Sequence, residues 1–264
     1  MDAPPGLAVD SFARQGFAVF PRFLAAAQVA PLRAACDRVL ERQRATMDGG
    51  DTTNTAYLTD GRWHPQDGHD RLALLEFIAS PRITALITAA IGAPSFHNSQ
   101  YFMEPRTRSW TGAWHRDCQF LVQAPAAEDA IRAGSCGVHF RVALVDDDHL
   151  EYIPGSEQRA DTATELAARW PTSGRMVTDD LPGSVRIPLR AGDALLFHAW
   201  GIHRGRYVAG RPRRTLDVIY NIGAPPAGCP PEAFAETVPL AGLSPTAHAF
   251  FTAFNAVRGS GRGR

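Results

Sequence analysis

The spacing of apolar residues in the first third of the chain is typical of amphipathic helices. Apolar positions recur every three or four residues, with arginines on the opposite side. Helices are predicted over residues 25–44, 72–79 and 81–91. The last of these has proline in its first turn and Gly92 at its end, as helix boundaries favour. With a short strand over residues 17–20, this part of the chain is expected to form a helical scaffold.

After Pro94 the pattern changes to short segments rich in aromatic and β-branched residues, separated by Gly, Pro and Asp. Eight strands are predicted, over residues 95–104, 113–121, 137–145, 149–153, 183–189, 193–200, 202–208 and 214–222. Helical spacing interrupts them at residues 126–133 and 162–170. Many short strands with turn signals between them indicate a sandwich or jelly roll rather than an alternating α/β fold.

No repeat, linker or low-complexity block divides the chain. We therefore expect one domain over residues 1–264, with a helical scaffold of about 1–92, a jelly-roll core of about 94–222 and a C-terminal extension, 223–264. Residues 46–70 are polar and rich in turns, without periodicity. Such a stretch is typical of either a mobile lid or a solvated, partly disordered loop, and both alternatives stay open.

Charge and cysteine content narrow the classes of function. The chain has 27 basic and 27 acidic residues, so no electrostatic argument favours nucleic acid or an anionic membrane as a partner. Four dispersed cysteines without a C-x-x-C pair indicate reduced thiols. No signal peptide and no apolar run of ~18 residues is recognisable. The sequence thus predicts a soluble, cytoplasmic protein with a small-molecule partner; its oligomeric state stays open.

Three residues form a candidate metal site. His115 and Asp117 share a face if they lie on a strand, and His203 can approach from a strand folded alongside. Two imidazoles and one carboxylate hold non-haem Fe(II) and leave coordination positions open. Arg213 and Arg214 follow His203 by ten and eleven residues. A metal beside an arginine suits a cosubstrate that chelates iron and carries a distal carboxylate, which points to 2-oxoglutarate.

Every cation in this sequence is arginine, so a carboxylate clamp must be arginine. The nearest competitor of His203 as a ligand is His198, which is better explained as a packed strand end. The remaining histidines have no neighbour that completes a credible ligand set: His64, His69, His97, His149 and His248.

Strand alternation selects four further pocket candidates. In the segment 137–145 one face is apolar and the other carries His139 and Arg141. These two side chains are expected to point either into the mouth of the barrel, where they would contact substrate, or to solvent. Asn98 and Gln100 share a face of the strand before the metal strand. They are candidates for cosubstrate or substrate contact, with a polar edge strand as the alternative.

Several motifs between about residues 10 and 222 are similar to those of a known protein family. They are residues 17–21 (FAVFP), 114–117 (WHRD), 152–156 (YIPGS), 191–197 (AGDALLF), 201–205 (GIHRG) and 213–214 (RR). In order and spacing they resemble the phytanoyl-CoA dioxygenase family of Fe(II)/2-oxoglutarate oxygenases. The resemblance implies a double-stranded β-helix of the cupin-like jelly-roll type, mainly β with flanking helices.

The resemblance also assigns roles. It implies His115, Asp117 and His203 as metal ligands and favours Arg214 over Arg213 as the cosubstrate arginine. Fe(II), 2-oxoglutarate and O2 are the implied reactants, with release of succinate and CO2. The chain departs from the family pattern at Glu157, where histidine is frequent, and at two further positions: Glu104, where some members have lysine before the proline that Pro105 retains, and Gly205, where a small hydroxyl residue is frequent. Because a related halogenating group lacks the carboxylate ligand, the retained carboxylate favours oxygenation.

Two rival functions remain at this stage, a metal-dependent hydrolase on the same fold and a non-catalytic jelly-roll binding protein. The arginine beside the metal argues against hydrolysis, which needs no carboxylate clamp. Acidic clusters at residues 146–148 and 179–180 disfavour a fatty acyl-CoA. The predicted reaction is hydroxylation or oxidative cyclisation of a polar, natural-product-like molecule, in secondary metabolism.

Overall fold

The structure, a computed structural model, describes residues 5–46, 53–56, 58–64, 68–222 and 238–260. Within them the helices are α1 (Pro5–Gln15), α2 (Ala26–Thr46), α3 (His69–Ile78), α4 (Pro81–Ile91), α5 (Pro125–Gly134), α6 (Ala163–Arg169) and α7 (Pro245–Ser260). The strands are β1 (Phe17–Phe20), β2 (Asn54–Ala56), β3 (Ser95–Met103), β4 (Trp110–Thr111), β5 (Cys136–Ala143), β6 (Leu150–Tyr152), β7 (Val185–Arg186), β8 (Ala194–His198), β9 (His203–Tyr207) and β10 (Arg214–Ile222).

The strands form two antiparallel sheets. The larger sheet has the order β1-β8-β5-β10-β3-β2, and the smaller has the order β4-β9-β6-β7. From β5 onward the chain passes repeatedly from one sheet to the other, which is the winding of a jelly roll. The predicted class, mainly β with flanking helices and a double-stranded β-helix, is confirmed.

The larger sheet is buried on both faces. Its outer face packs against α2, α3, α4 and α7 in the main hydrophobic core, to which β5 and β10 contribute alternate residues: Val138, Phe140, Val142, Leu216, Val218 and Tyr220. Its inner face meets the smaller sheet in a second apolar cluster that includes Leu195 and Phe197 on one side and Leu150 and Tyr152 on the other. Residues at odd positions of β10 therefore point between the sheets.

One segment, His69–Ile91, has the length and apolar composition of a membrane span. In the fold it consists of two helices, α3 and α4, separated at Ser80, where Pro81 begins the second. Both contribute fully buried residues to the main core: Leu74, Leu75, Ile78, Ile83 and Ile87. Packing against the sheet accounts for these apolar positions.

Two sequence expectations differ from the structure. Residues 113–121 do not form a strand: after β4 the chain makes a single bridge at His115 and then a 3-10 helix, Asp117–Leu121. Tertiary contacts of this segment outweigh its strand-like composition. Residues 46–70 contain β2, paired with β3, and a 3-10 helix, Gly61–Trp63. The rest of that segment, and with it the question of a lid, lies partly outside the described residues.

Candidate metal centre

His115 and His203 are joined through their backbones. His203 begins β9, and the two residues form an antiparallel bridge in which the His115 amide donates to His203 O (3.0 Å) and the His203 amide donates to His115 O (2.9 Å). Their imidazole centroids lie 4.4 Å apart. The chain can turn closely into β9 because position 201 is glycine: a Cβ there would lie 1.8 Å from the Tyr152 hydroxyl oxygen.

Asp117 completes the cluster from the first position of the 3-10 helix. Its backbone amide donates to Ala199 O at 3.0 Å. Its Oδ1 lies 3.5 Å from His115 Nε2 and 3.4 Å from His203 Nε2. The three ligand atoms all fall within 4.8 Å of one another. The predicted metal-binding side chains therefore converge, although a bridge and a 3-10 turn, rather than a continuous strand, bring them together.

The donor set fits a metal ion. Nδ1 of His115 lies 2.9 Å from Ala113 O, and Nδ1 of His203 lies 3.0 Å from Gly201 O. A carbonyl only accepts, so each Nδ1 carries the proton and each Nε2 presents its lone pair. Burial, assisted by the nearby His115, lowers the pKa of His203 to about 4 and keeps that ring neutral at pH 7. Two imidazoles and one carboxylate form the facial set of a non-haem iron site.

The residue between the two close ligands is a buried anchor. Arg116 is fully buried and donates to Ser156 O at 2.8 Å, to Trp200 O, and to Asp161 Oδ1 at 2.6 Å. These contacts tie the H-x-D segment to the turn between β8 and β9 and to the segment that leads from β6 to α6. No pattern in the sequence predicts this role for Arg116.

His139 and Arg141 point between the sheets, as alternation predicted. His139 Nε2 lies 2.6 Å from Asp117 Oδ2, and its Nδ1 lies 3.0 Å from Asp217 Oδ2. Arg141 Nε donates to the same Asp217 oxygen at 3.1 Å. Burial disfavours a charged His139, but Asp217 and Asp117 outweigh it and raise its pKa to about 9. The polar atoms that were expected to meet substrate therefore contact carboxylates of the chain itself.

The structure does not bring Arg214 to the metal side. Its guanidinium lies on the scaffold face of β10, where it pairs with Asp37 of α2 at 3.1 Å and with Glu104. The apolar residues Leu216 and Val218 share that face. The prediction, which came from the usual spacing after the second histidine, thus selects the neighbour of the inward-facing arginine.

Arg213 is the arginine that faces inward. Its side chain is 1% exposed, donates to Asp147 at 3.1 Å, and lies 5.0 Å from the Phe102 ring and 5.1 Å from the Tyr207 ring. Its Nη1 is buried and has no hydrogen-bond partner among the residues that the structure describes. Thr215 follows on the same face and donates to the same carboxylate at 3.2 Å.

Asn98 and Gln100 lie on the inner face of β3, opposite Ile219 and Asp217 of β10. Asn98 is buried, and its Oδ1 has no partner within the described part of the chain. Gln100 accepts from Asn54 Nδ2 of β2 at 3.4 Å. Of the two, Asn98 is the residue with a free buried acceptor.

A pocket opens directly at Asp117. Its lining includes Leu121, Trp200, Ile219 and Asn221. Beside it stands Phe120, which is 72% exposed although its ring centroid is 5.1 Å from that of His115. Phe120 is not among the residues predicted from the sequence, because strand alternation does not apply to a 3-10 helix. Asp217 is not among them either, although alternation does indicate it, since this residue shares a face with Arg213 and Thr215.

A jelly roll that gathers two imidazoles and a carboxylate and turns an arginine into its interior is the arrangement of a non-haem iron oxygenase. Residues 12–215 match the family described as phytanoyl-CoA dioxygenase, and the chain belongs to that family. It is a 2-oxoglutarate-dependent dioxygenase whose cofactors are iron and 2-oxoglutarate, as predicted. A comparison with curated proteins finds no significant match.

Solved structures share the fold. The 2-oxoglutarate-dependent carbocyclase SnoK from nogalamycin biosynthesis superposes with a TM-score of 0.57 at 22% identity, covering 81% of this chain and 83% of its own. AviO1 from Streptomyces viridochromogenes Tue57 has a TM-score of 0.58 at 21% identity, with 86% and 97% covered. EctD from S. alaskensis, solved with 2-oxoglutarate and 5-hydroxyectoine, has a TM-score of 0.57 at 18% identity, with 81% and 74% covered.

Proposed function

We propose that this oxygenase hydroxylates or oxidatively cyclises a polar small molecule of secondary metabolism, with His115, Asp117 and His203 as its iron ligands. The convergence of their three ligand atoms within 4.8 Å carries the proposal. In hydroxylation, substrate C–H, O2 and 2-oxoglutarate become substrate C–OH, succinate and CO2; one oxygen atom enters the substrate and the other enters succinate. Bound iron with its cosubstrate supplies this oxidising chemistry, and the protein positions the reactants.

Arg213, rather than Arg214, is proposed to bind the distal carboxylate of 2-oxoglutarate. Its buried Nη1 has an unused N–H, and Arg214 is already paired with two carboxylates on the scaffold side. Arginine suits this task because its planar fork binds a carboxylate through two charge-assisted hydrogen bonds. Asp147, which also accepts from the Thr215 hydroxyl, holds the guanidinium in place, so the clamp is formed before the cosubstrate arrives.

The substrate is proposed to bind at the pocket beside Asp117. Trp200 offers an aromatic face in its lining, and Asn221 with His97, paired at 3.0 Å, offers polar groups. The exposed Phe120 adds a second aromatic ring beside His115. Asn98 adds a buried acceptor on the neighbouring strand. A ring system that carries hydroxyl or amino groups matches this mixture better than a long acyl chain. The fold is shared with enzymes of nogalamycin biosynthesis, which supports a role of this kind.

The test is turnover of 2-oxoglutarate by the purified protein with Fe(II) and O2. Succinate formation is measured alone and with a panel of acyl-CoAs, amino acids and aminoglycoside-type saccharides. We expect slow basal succinate formation that hydroxylated or amino compounds stimulate. Stimulation by acyl-CoA alone would overturn the proposed substrate class, whereas complete absence of succinate would overturn the oxygenase assignment.

A further inference from the structure

His139 joins a metal ligand to a buried ion pair. It lies on β5, its side chain is buried, and its ring stacks on Phe197 at a centroid distance of 4.5 Å and an angle of 12°. Each ring nitrogen faces a carboxylate oxygen, Asp217 Oδ2 at 3.0 Å and Asp117 Oδ2 at 2.6 Å. No ring nitrogen is left for a substrate.

The two oxygens of Asp117 have different surroundings. Oδ1 faces Nε2 of both His115 and His203, at 3.5 and 3.4 Å. Oδ2 lies 2.6 Å from Nε2 of His139. We infer that His139 is a positioning residue that limits Asp117 to one metal-binding oxygen, Oδ1; this inference rests on the proposed metal site.

The support behind His139 is rigid. Asp217 is fully buried on β10, and Arg141 donates to its Oδ2 through both Nε (3.1 Å) and Nη2. The strand register places Arg141 opposite Asp217, so two neighbouring strands hold this pair. The ring of His139 therefore has one carboxylate fixed behind it and the metal-binding carboxylate in front, and Phe197 fixes its plane.

The number of oxygens that Asp117 gives to the metal decides how many positions remain for reactants. A six-coordinate metal held by three protein donors keeps about three positions, enough for a two-atom chelate and O2. A carboxylate that binds through both oxygens would occupy one of those positions. By holding Oδ2, His139 keeps that position open, which makes it a determinant of cosubstrate binding rather than of metal retention alone.

The inference is tested by counting metal-bound waters with Mn(II) as the probe, by pulsed electron paramagnetic resonance in D2O. Wild type should bind about three waters, whereas His139→Leu, which has no donor, should bind about two because Oδ2 is free to join the metal. His139→Gln keeps an N–H donor and should restore the wild-type count. Affinity for 2-oxoglutarate should fall in His139→Leu because one coordination position is lost, by about tenfold or more if the loss matches what removing a partner of a metal ligand costs in metal affinity or activity.

His64→Leu is the matched control, because His64 is a half-buried histidine bonded to Leu58 O, away from the ligands. It should leave both readouts at wild-type values. Unchanged water count and 2-oxoglutarate affinity in His139→Leu would overturn the inference, and so would about two waters in wild type, a measurement that does not depend on any variant folding. Wild type that binds no Mn(II) would instead overturn the proposed metal site.

Discussion

His115 and His203 exchange both hydrogen bonds of one antiparallel bridge, at 3.0 and 2.9 Å. The spacing of the two imidazole ligands is therefore set by the backbone, and only χ angles remain to be fixed. The Nδ1 contacts to Ala113 O and Gly201 O fix these angles. A pocket held in this way exists before a metal binds, so loss of one ligand should remove metal without unfolding the chain.

Replacement of His115 or His203 by alanine should lower Fe(II) affinity by more than ~100-fold, since loss of a partner that merely orients a ligand already costs ~10–100-fold. Anaerobic Fe(II) titration measures this, and circular dichroism checks that the fold is retained. His248→Ala is the control, because His248 is exposed on α7. Wild-type iron content and succinate formation in either ligand variant would show that the ligand set is different.

Arg213→Met should weaken 2-oxoglutarate binding by more than about tenfold, because loss of one side of a charged, buried pair costs ~2–5 kcal/mol. Arg214→Met is the matched comparison, because it removes the adjacent arginine on the opposite face of β10, where that arginine pairs with Asp37 and Glu104. It should leave the affinity for 2-oxoglutarate within about twofold of wild type, since no charged partner of the cosubstrate is lost. Calorimetric titration with Mn(II) present measures both. If the Arg214 variant lost affinity and the Arg213 variant did not, Arg214 rather than Arg213 would bind the cosubstrate.

Arg116→Met should lower the free energy of unfolding and the metal affinity together. Removal of one partner of a buried ion pair costs ~3–5 kcal/mol, and the loss should lie at the lower end of that range because Asp161 keeps a second partner, the guanidinium of Arg169. Urea denaturation and Mn(II) titration measure the two effects. Arg175→Met, at an exposed position, should change stability by no more than ~0.5 kcal/mol. If the Arg116 variant were destabilised but kept its full metal affinity, Arg116 would stabilise the fold without contributing to the metal site.

Stability should fall in acid through Asp70. Hydrogen bonds from Arg38, and also from Arg42, lower the pKa of Asp70 from 3.8 to about 2 in the folded state. A carboxyl with a depressed folded pKa stabilises the fold fully above its unfolded pKa, and this contribution is lost as pH falls through the folded pKa. Unfolding measured between pH 5 and pH 2 should show a shallower decline for Asp70→Asn than for wild type. If the stability of wild type and of Asp70→Asn declined equally steeply with falling pH, the ion pairs of Asp70 would be excluded as a source of acid sensitivity.

The sequence predicted most of the strands because hydrophobic alternation survives in them. The segments 95–104, 137–145 and 214–222 correspond closely to β3, β5 and β10. The segment around the first two ligands failed, since its composition is strand-like while its conformation is decided by contacts to residues far along the chain, above all those of Arg116. Such contacts are invisible to local propensity.

The choice between Arg213 and Arg214 shows the same limit in one strand. A shift of one residue exchanges the two faces of a strand, so a spacing rule and a strand register that differ by one residue favour arginines on opposite faces. The sequence did contain the deciding signal. Leu216, Val218 and Tyr220 form an apolar face that is suited to the scaffold core, which leaves Arg213, Thr215 and Asp217 for the interior.

The Arg213–Asp147 pair also bears on how the protein responds to salt. Both side chains are 1% exposed, and mobile ions screen buried charges much less than surface charges. A dicarboxylate that binds Arg213 contacts a guanidinium whose charge is already balanced by Asp147. The chain also carries no net charge that would attract anions from a distance. Affinity for the cosubstrate should therefore vary little with ionic strength, unlike that of proteins that collect anionic ligands through long-range attraction.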